Sequence, residues 1–571
     1  MKLNKKSKRL GIYIFYDKDN IIDDYVIYML KDLNKAVDNI IFVSNSKISK
    51  EEEKKLNGLN IEINIRENIG LDAGAFKYVY DKYKREYLCQ YDEVLLLNDT
   101  FYGPFKPFKE IINEMNDKDI DFWGLTANFD SKDGTGKAID KFIHSHVQTF
   151  FVAYRRSVLE STFFNKYWKK YNINKNNSFE NVVNYHESYF TYLLEKNGFK
   201  WDTYVNLNHF KKDIIKYNYN IYGYSAYTLL KYYNCPFIKR KNFVFNKIDS
   251  LYINDGMDTK RALDYIKNNT NYDLRLIFNN LKRIYSSYDL YRGLSLNYLV
   301  EENKNKYNKK LIIANIEDLD SYLFSMPYFN NIKECDKLIF TSNTNVNKKY
   351  DIKYVDNLYK YINKNRKELM QKYDYICLLN LYDEVKCFQE VVDSKLSRLL
   401  DNTIKSDEYI NGVIDILKDD FVDILFTPES IHNKNINNIT GKYNNDIISK
   451  IENNNNIKLI GNSINKSFDG LWIKSSVLNK NINLNISYSE YLSIFELLYD
   501  NNYGRIYNKS YLENDILSFE EVYKYSMYNE KVEMSFPNKM FINSANPFRV
   551  LFRYIVPLNV RKRLKQILKI K

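Results

Sequence analysis

The chain has 571 residues, 44% of them hydrophobic and 16% aromatic, with 85 basic and 72 acidic side chains and a net charge of +13. That length exceeds one core and predicts two to four domains, while so modest a basic excess makes no case for nucleic acid as a partner. Five cysteines without a CxxC pair argue against a zinc cage or a disulfide framework and suit a reducing cytoplasm, and no run of about 18 apolar residues marks a spanning helix.

Met1 to Leu10 is basic but has no apolar h-region, so no secretory signal is expected. Gly11 to Phe15 reads as a first strand closed by Tyr16 and Asp17. Ile22 to Leu33 has helical spacing, and Ile40 to Val43 is a second strand ending at Ser44-Asn45-Ser46. Ile61, Ile63 and Ile65 alternate with polar residues, which predicts a strand with one buried face. After Gly70 the period changes, and Phe76, Val79, Tyr80 and Tyr83 fall at helical spacing. Small residues at 70, 73, 74 and 75 would let a ligand approach the backbone, and the helix amino terminus suits a diphosphate. The plainer alternative, with Asp72 as an N-cap and Gly70 as a turn residue, stands beside it.

Val94 to Leu97 is an apolar run long enough for a strand buried on both faces, and it leads into Asn98-Asp99-Thr100 before Gly103-Pro104 breaks the chain. A carboxylate at the carboxyl end of such a strand lies where open α/β sheets bind their ligands, although Asn-Asp-Thr is also ordinary turn chemistry. A helix near 107–115, a strand at 121–126, a Gly-containing loop at 130–137, a strand over 146–154 and helices over 157–168 and 185–196 follow. The alternation predicts an α/β domain whose mostly parallel sheet is covered on both faces.

From 213 to 300 the pattern is mainly helical, with candidates at 260–266 and 274–285, and then the alternation restarts. Leu311 to Ala314 echoes 11–15, Lys337 to Asn343 echoes 39–45, Tyr373 to Asn380 echoes 91–98, Phe421 to Thr427 echoes 120–126, and Asp469 to Leu478 echoes 149–159. Five echoes in one order predict a diverged internal duplication. The second copy lacks the chemistry, because Leu381 follows Asn380 where Asp99 follows Asn98.

Arg66 to Ala75, Asn98 to Pro104, Asp121 to Thr126 and His146 to Phe151 together resemble the rhamnan synthesis protein F family, with Pro236 to Lys241 and Thr270 to Asp273 as later matching segments. The resemblance is specific over roughly residues 8–300. It is weaker over 309–480, where Asn363-Lys364-Asn365-Arg366 stands in place of the family's Asn-x-Gly-Arg-Asp turn. It implies a GT-A-like (Rossmann-like) glycosyltransferase domain over 1–245, a helical connector over 246–308, a degenerate second GT-A-like α/β copy over 309–500 and a helical tail over 501–571. The implied activity is sugar transfer, with rhamnose one donor, from a nucleoside diphosphate to a cell-surface polysaccharide or its lipid-linked precursor. The alternative is a non-catalytic glycan-binding or scaffold protein of the same assembly machinery.

Under that reading the departing diphosphate must be neutralised, and a base must take the acceptor proton if configuration inverts. Asp99 stands in the place of an Asp-x-Asp, as a ligand for Mg²⁺ or Mn²⁺ or as a donor contact, and one carboxylate suffices for a hard cation that also binds phosphates. Asn68, Gly70, Asp72 and Gly74 would line the nucleotide side, with Tyr16 and Asp17 toward the base or ribose. His146 shares a face with His144 if 144–154 is extended and could complete a metal site, or it could be a hydrogen-bonded cleft residue. Glu187 is the candidate base, against a solvated helix position, and Asp202 is the reserve. Lys239, with Arg240 and Lys241, would grip phosphate unless the triplet is simply solvated. After Pro557, Val560, Leu564, Ile567 and Leu568 form a stripe among basic residues. This short amphipathic helix would bind the inner leaflet of the cytoplasmic membrane, or pack as a terminal helix with a charged outer face. The expected location is cytoplasmic, peripheral to that membrane.

Overall fold

The computed structural model describes residues 2–510 apart from 133–138, 140–141, 175–177, 213–220, 245–255, 286–289, 291–293, 295, 351, 383–395, 428–468, 481–487 and 499–500. The amphipathic stretch after Pro557, and residues 133–137 of the loop at 130–137, lie outside the described residues.

The first half builds a seven-stranded sheet. Its strands are β1 (Arg9–Phe15), β2 (Asn39–Ser44), β3 (Ile61–Ile65), β4 (Glu93–Asn98), β6 (Phe122–Gly124), β7 (Phe151–Arg155) and β8 (Trp201–Thr203), in the order β8-β6-β7-β4-β1-β2-β3. Every residue of β1 and β4 is buried, as apolar runs covered on both faces require. β7 alone is antiparallel to both its neighbours, β4 and β6. At the edge, β3 departs from its pattern. Asn64 is buried, taking up Tyr83 through its amide, whereas Ile65 is 42% exposed at the strand end. The expected single strand over 146–154 is two pieces, because a turn at 148–150 separates His146–Val147 from β7. The short piece pairs instead with Ala127–Asn128.

Helix α1 (Asp24–Leu33) buries Val26, Met29, Leu30 and Leu33 against one face of the sheet, and α2 (Leu71–Leu88) buries Phe76, Val79 and Tyr80 against the other. A two-stranded ladder then folds a distant segment onto the end of β4. In it β5 (Phe101–Tyr102) pairs antiparallel with β9 (Ile238–Lys239), setting Lys239 opposite Phe101.

The second half repeats the plan. The strands β10 (Asn297–Leu299), β11 (Lys310–Ile316), β12 (Asp336–Thr341), β13 (Lys353–Tyr354), β14 (Tyr375–Leu381), β15 (Ile424–Phe426), β16 (Gly470–Lys474) and β17 (Tyr503–Tyr507) run in the order β10-β17-β15-β16-β14-β11-β12-β13. Without β10, this matches the first sheet strand for strand, including the lone antiparallel β16. Backbone hydrogen bonds repeat as well. Asp92 N–H donates to Lys8 O and Asp374 N–H to Lys309 O, at 2.8 and 2.9 Å. Asn98 N–H donates to Phe150 O and Asn380 N–H to Asp469 O, at 3.1 and 2.7 Å. All five sequence echoes fall on equivalent strands, so the duplication is a duplication of fold. The strands at 297–299 and 503–507 draw on chain either side of the expected 309–500 span.

A connecting helix, α3 (Arg275–Ile284), holds the copies together. Phe278 packs on Phe421 and Tyr503 of the second copy. Lys282 Nζ donates to the carbonyls of Leu498 and Asn501 there, at 3.1 and 2.7 Å. The next residue, Arg283, turns to the first copy, where its guanidinium meets Asp17, Asp19 and Asp23.

Candidate active site

The carboxyl ends of β1, β2 and β4 define the site. Arg66 pins the turn that opens α2, with Nη1 donating to Asn45 Oδ1 and Nη2 to the Ile69 carbonyl, both at 2.6 Å. Asn45 donates in turn to Asn68 Oδ1 at 3.2 Å. Gly70 has φ +76°, a left-handed conformation that favours glycine. A Cβ on Gly74 would lie 2.1 Å from the Ile69 carbonyl oxygen, and Ala73 and Ala75 are buried in the core. Their small size is therefore used for packing this turn against its own helix, rather than for admitting a ligand. A cavity of about 480 Å³ touches the turn through Arg66 and Ile69, but none of the carboxylates lines it.

The turn delivers Asp72 to the end of β4. Its Oδ2 accepts from Asn98 Nδ2 at 2.6 Å, while Asn98 Oδ1 accepts from the Thr100 hydroxyl at 2.7 Å. Burial raises the Asp72 carboxyl from 3.8 to about 6; the Asn98 bond opposes this, and the charges of Asp99 and Glu187 add to it. Asp99 is buried, and burial raises its carboxyl too, against the pull of Arg240. Arg240 Nη2 stands 3.5 Å from Asp99 Oδ2, and Tyr25, whose hydroxyl donates to the Asp99 carbonyl at 2.9 Å, is 3.4 Å from Arg240 Nη1. The backbone N–H of Arg240 donates to Thr100 O at 3.0 Å, so the β5–β9 ladder seats this cation.

Glu187 closes the cluster from a π-helical turn, Val183–Glu187, that bulges the helix running on through Ser188–Lys196. Such bulges recur at functional sites because they re-aim one side chain. The Thr149 hydroxyl donates to Glu187 Oε2 at 2.5 Å, and the field of Glu187 reaches both Asp72 and Lys239. Lys239 Nζ lies 4.1 Å from the centre of the Phe150 ring. Burial pushes its ammonium down to about 8, with Glu187 opposing and Lys241 assisting.

Of the other expected residues, Asp202 lies apart, whereas Asp17 and His146 sit close to the cluster with partners of their own. Asp17 is buried, but its carboxylate is taken up by Arg283 and by the backbone N–H groups of Asp19 and Ile21. Tyr16 beside it is 47% exposed. Asp202 pairs with Lys118 at 2.7 Å on β8, three strands from β4 and so roughly 14 Å across the sheet. His146 is buried, with Nδ1 on the His144 carbonyl at 2.7 Å and Nε2 3.3 Å from the Asn128 amide and 4.0 Å from Glu187. Burial lowers its value, which keeps the ring neutral. The His144 ring stacks on Tyr192 instead of joining it. Among the described residues no group of three or more His, Cys, Asp or Glu is arranged to hold a metal ion, and Asp99 has Arg240 as its charge partner. The one carboxylate expected to hold a divalent cation is thus already paired with a fixed cation.

Asp72→Asn tests the electrostatics. A carboxyl raised by burial destabilises the fold once it is charged, so stability falls as pH climbs from about 4 to 6 and then levels. The substitution should therefore stabilise the protein by about 1–2 kcal/mol at pH 7.5, allowing for partial exposure, and by nearly nothing at pH 4. Urea denaturation at the two pH values measures this.

A family model described as rhamnan synthesis protein F matches residues 40–496, a span that takes in most strands of both sheets and leaves out β1 and β17. The chain belongs to the rhamnan synthesis protein F family. No curated protein matches it. Among solved structures it is similar to the mannosyltransferase Ktr4p of S. cerevisiae in complex with GDP, at 12% identity over 35% of this chain and 72% of that one, with a TM-score of 0.24. It is similar to core-mannan synthase A of Aspergillus fumigatus in an Mn/GDP form, at 9% identity over 28% of this chain and 63% of that one, with a TM-score of 0.19. The glycosyltransferase GlyE of Streptococcus pneumoniae TIGR4 is 10% identical over 69% of this chain and 89% of that one, with a TM-score of 0.25. TM-scores this low carry no inference about activity. In this member of the rhamnan synthesis protein F family, no helix among the described residues is long and apolar enough to cross a membrane.

Proposed function

We propose that the chain is a configuration-inverting glycosyltransferase that moves a hexose, with rhamnose the first donor to try, from a nucleoside diphosphate onto a surface polysaccharide or its lipid-linked precursor. The reaction would take place at the inner leaflet of the membrane, with the basic stretch after Pro557 as the contact. The observation that carries this reading is the convergence of Asp72, Asp99 and Glu187, from three separate segments, at the carboxyl ends of the strands of a parallel-rich sheet. Family membership points to the same polymer chemistry.

In this mechanism Asp72 and Asp99 accept hydrogen bonds from the donor's hydroxyls and set its anomeric carbon. Glu187 takes the proton of the acceptor hydroxyl as that oxygen bonds to the anomeric carbon. The bond from that carbon to the diphosphate oxygen breaks on the opposite side, and the diphosphate departs with the electron pair. Thr149 orients the Glu187 carboxylate, as its hydrogen bond requires. Asp202, paired with Lys118, takes no part.

The test is nucleotide release from a panel of nucleotide sugars by the purified full chain. Asp99→Asn should lower turnover by about 10²-fold or more, the size of effect seen when one preorganised polar contact is lost. If no donor is turned over while Asp99→Asn still supports polysaccharide assembly in cells, the scaffold reading replaces the enzyme.

A further inference from the structure

Several polar groups at this end of the sheet, half-buried or buried, have less than their full complement of partners. Lys239 Nζ rests on the Phe150 ring, and among the described residues it has no hydrogen bond or ion pair. Arg240 has five N–H donors, yet its two side-chain contacts are long, at 3.4 and 3.5 Å. Two residues on, Asn242 is buried with both side-chain polar atoms unpartnered, and the buried Tyr13 hydroxyl, within the field of Asp99 and Arg240, is unpartnered as well. Sheltered cations and buried amides are costly to leave short of partners, so the arrangement suits a ligand rich in acceptors. Each carboxylate already has one partner, Asp99 in Arg240, Asp72 in Asn98 and Glu187 in Thr149, and keeps lone pairs for a donor's hydroxyls. Among the described residues no three carboxylates, histidines or cysteines are grouped to hold a metal, whereas an anion would find a lysine and part of an arginine.

We propose that Lys239 and Arg240, in place of a bound divalent ion, supply the positive charge that holds and neutralises the departing diphosphate. This rests on the transferase reading and adds to it the device that stabilises the leaving group. The two cations are adjacent in sequence and are held at the strand ends by the β5–β9 ladder, so the charge is fixed in place before the donor arrives.

The experiment is calorimetric titration of the full chain with inorganic pyrophosphate, in EDTA and in Mg²⁺ or Mn²⁺, beside Lys239→Met and Lys239→Arg. Affinity in EDTA should lie within about threefold of that with metal. Lys239→Met should weaken it at least tenfold, and Lys239→Arg should keep most of it. Lys239→Met should also melt no lower than the parent, since it removes a half-buried ammonium that makes no hydrogen bond among the described residues, so a loss of binding is not a loss of fold. Binding that needs the metal, or that ignores Lys239→Met, overturns the proposal. Donor turnover that requires Mg²⁺ or Mn²⁺ sinks it too, yet leaves the transferase standing. Pyrophosphate binding through Lys239 in a protein that turns over no donor keeps the anion site and removes the transferase.

Discussion

Replacing Glu187 by glutamine is expected to lower kcat by about 10² to 10⁴-fold while donor binding stays within about threefold. The amide can still take the Thr149 hydroxyl's hydrogen bond, so the geometry of the π-helical turn survives. What it cannot do is accept the proton of an attacking hydroxyl. Single-turnover kinetics set beside calorimetric donor binding separate the two effects. A fall in kcat of less than tenfold would mean that the base is another group. Asp202→Asn is the control, because its carboxylate sits three strands away against Lys118.

Arg283→Met should cost about 3–5 kcal/mol of stability, the typical result of removing one partner from a buried ion pair. Asp17 and Asp23 would be left buried and charged, with Asp19 partly exposed beside them. Arg283→Lys should recover only part of that loss, since one ammonium cannot spread over three carboxylates as a guanidinium does. Guanidinium chloride denaturation gives the difference, and a change below about 1 kcal/mol would show that the cluster contributes nothing net.

The fold was largely readable from the chain because strands buried on both faces, such as Val94 to Leu97 and Leu311 to Ala314, must be apolar runs, and their order is kept in both copies. Asp72 and Asp99 were readable for a related reason. Asp99 follows β4 directly, and Asp72 lies in the first turn of the helix after β3, so position in the sheet puts them together. What escaped were pairings made over long separations or by very short elements. Arg240 reaches Asp99 across 141 positions through a ladder two residues long, too short to leave a periodicity. Asp17 looked like a ligand group at a strand end, but the arginine that claims it lies 266 positions on, in a helix whose own pattern says nothing about its partner. The break at Gln148 to Phe150 carries neither Gly nor Pro, so His146 was placed on a continuous strand that does not exist. Asn64 and Ile65 reversed their expected exposures at the edge of the sheet, where Asn64 turns in to meet Tyr83 and Ile65 ends the strand.

Lys282 and Arg283 are consecutive on α3, yet one grips the second copy and the other the first. Neighbours on an α-helix point about 100° apart, so this rivet works only while its register is intact. Losing or gaining a single residue just ahead of the pair would swing one of its two holds away from its anchor.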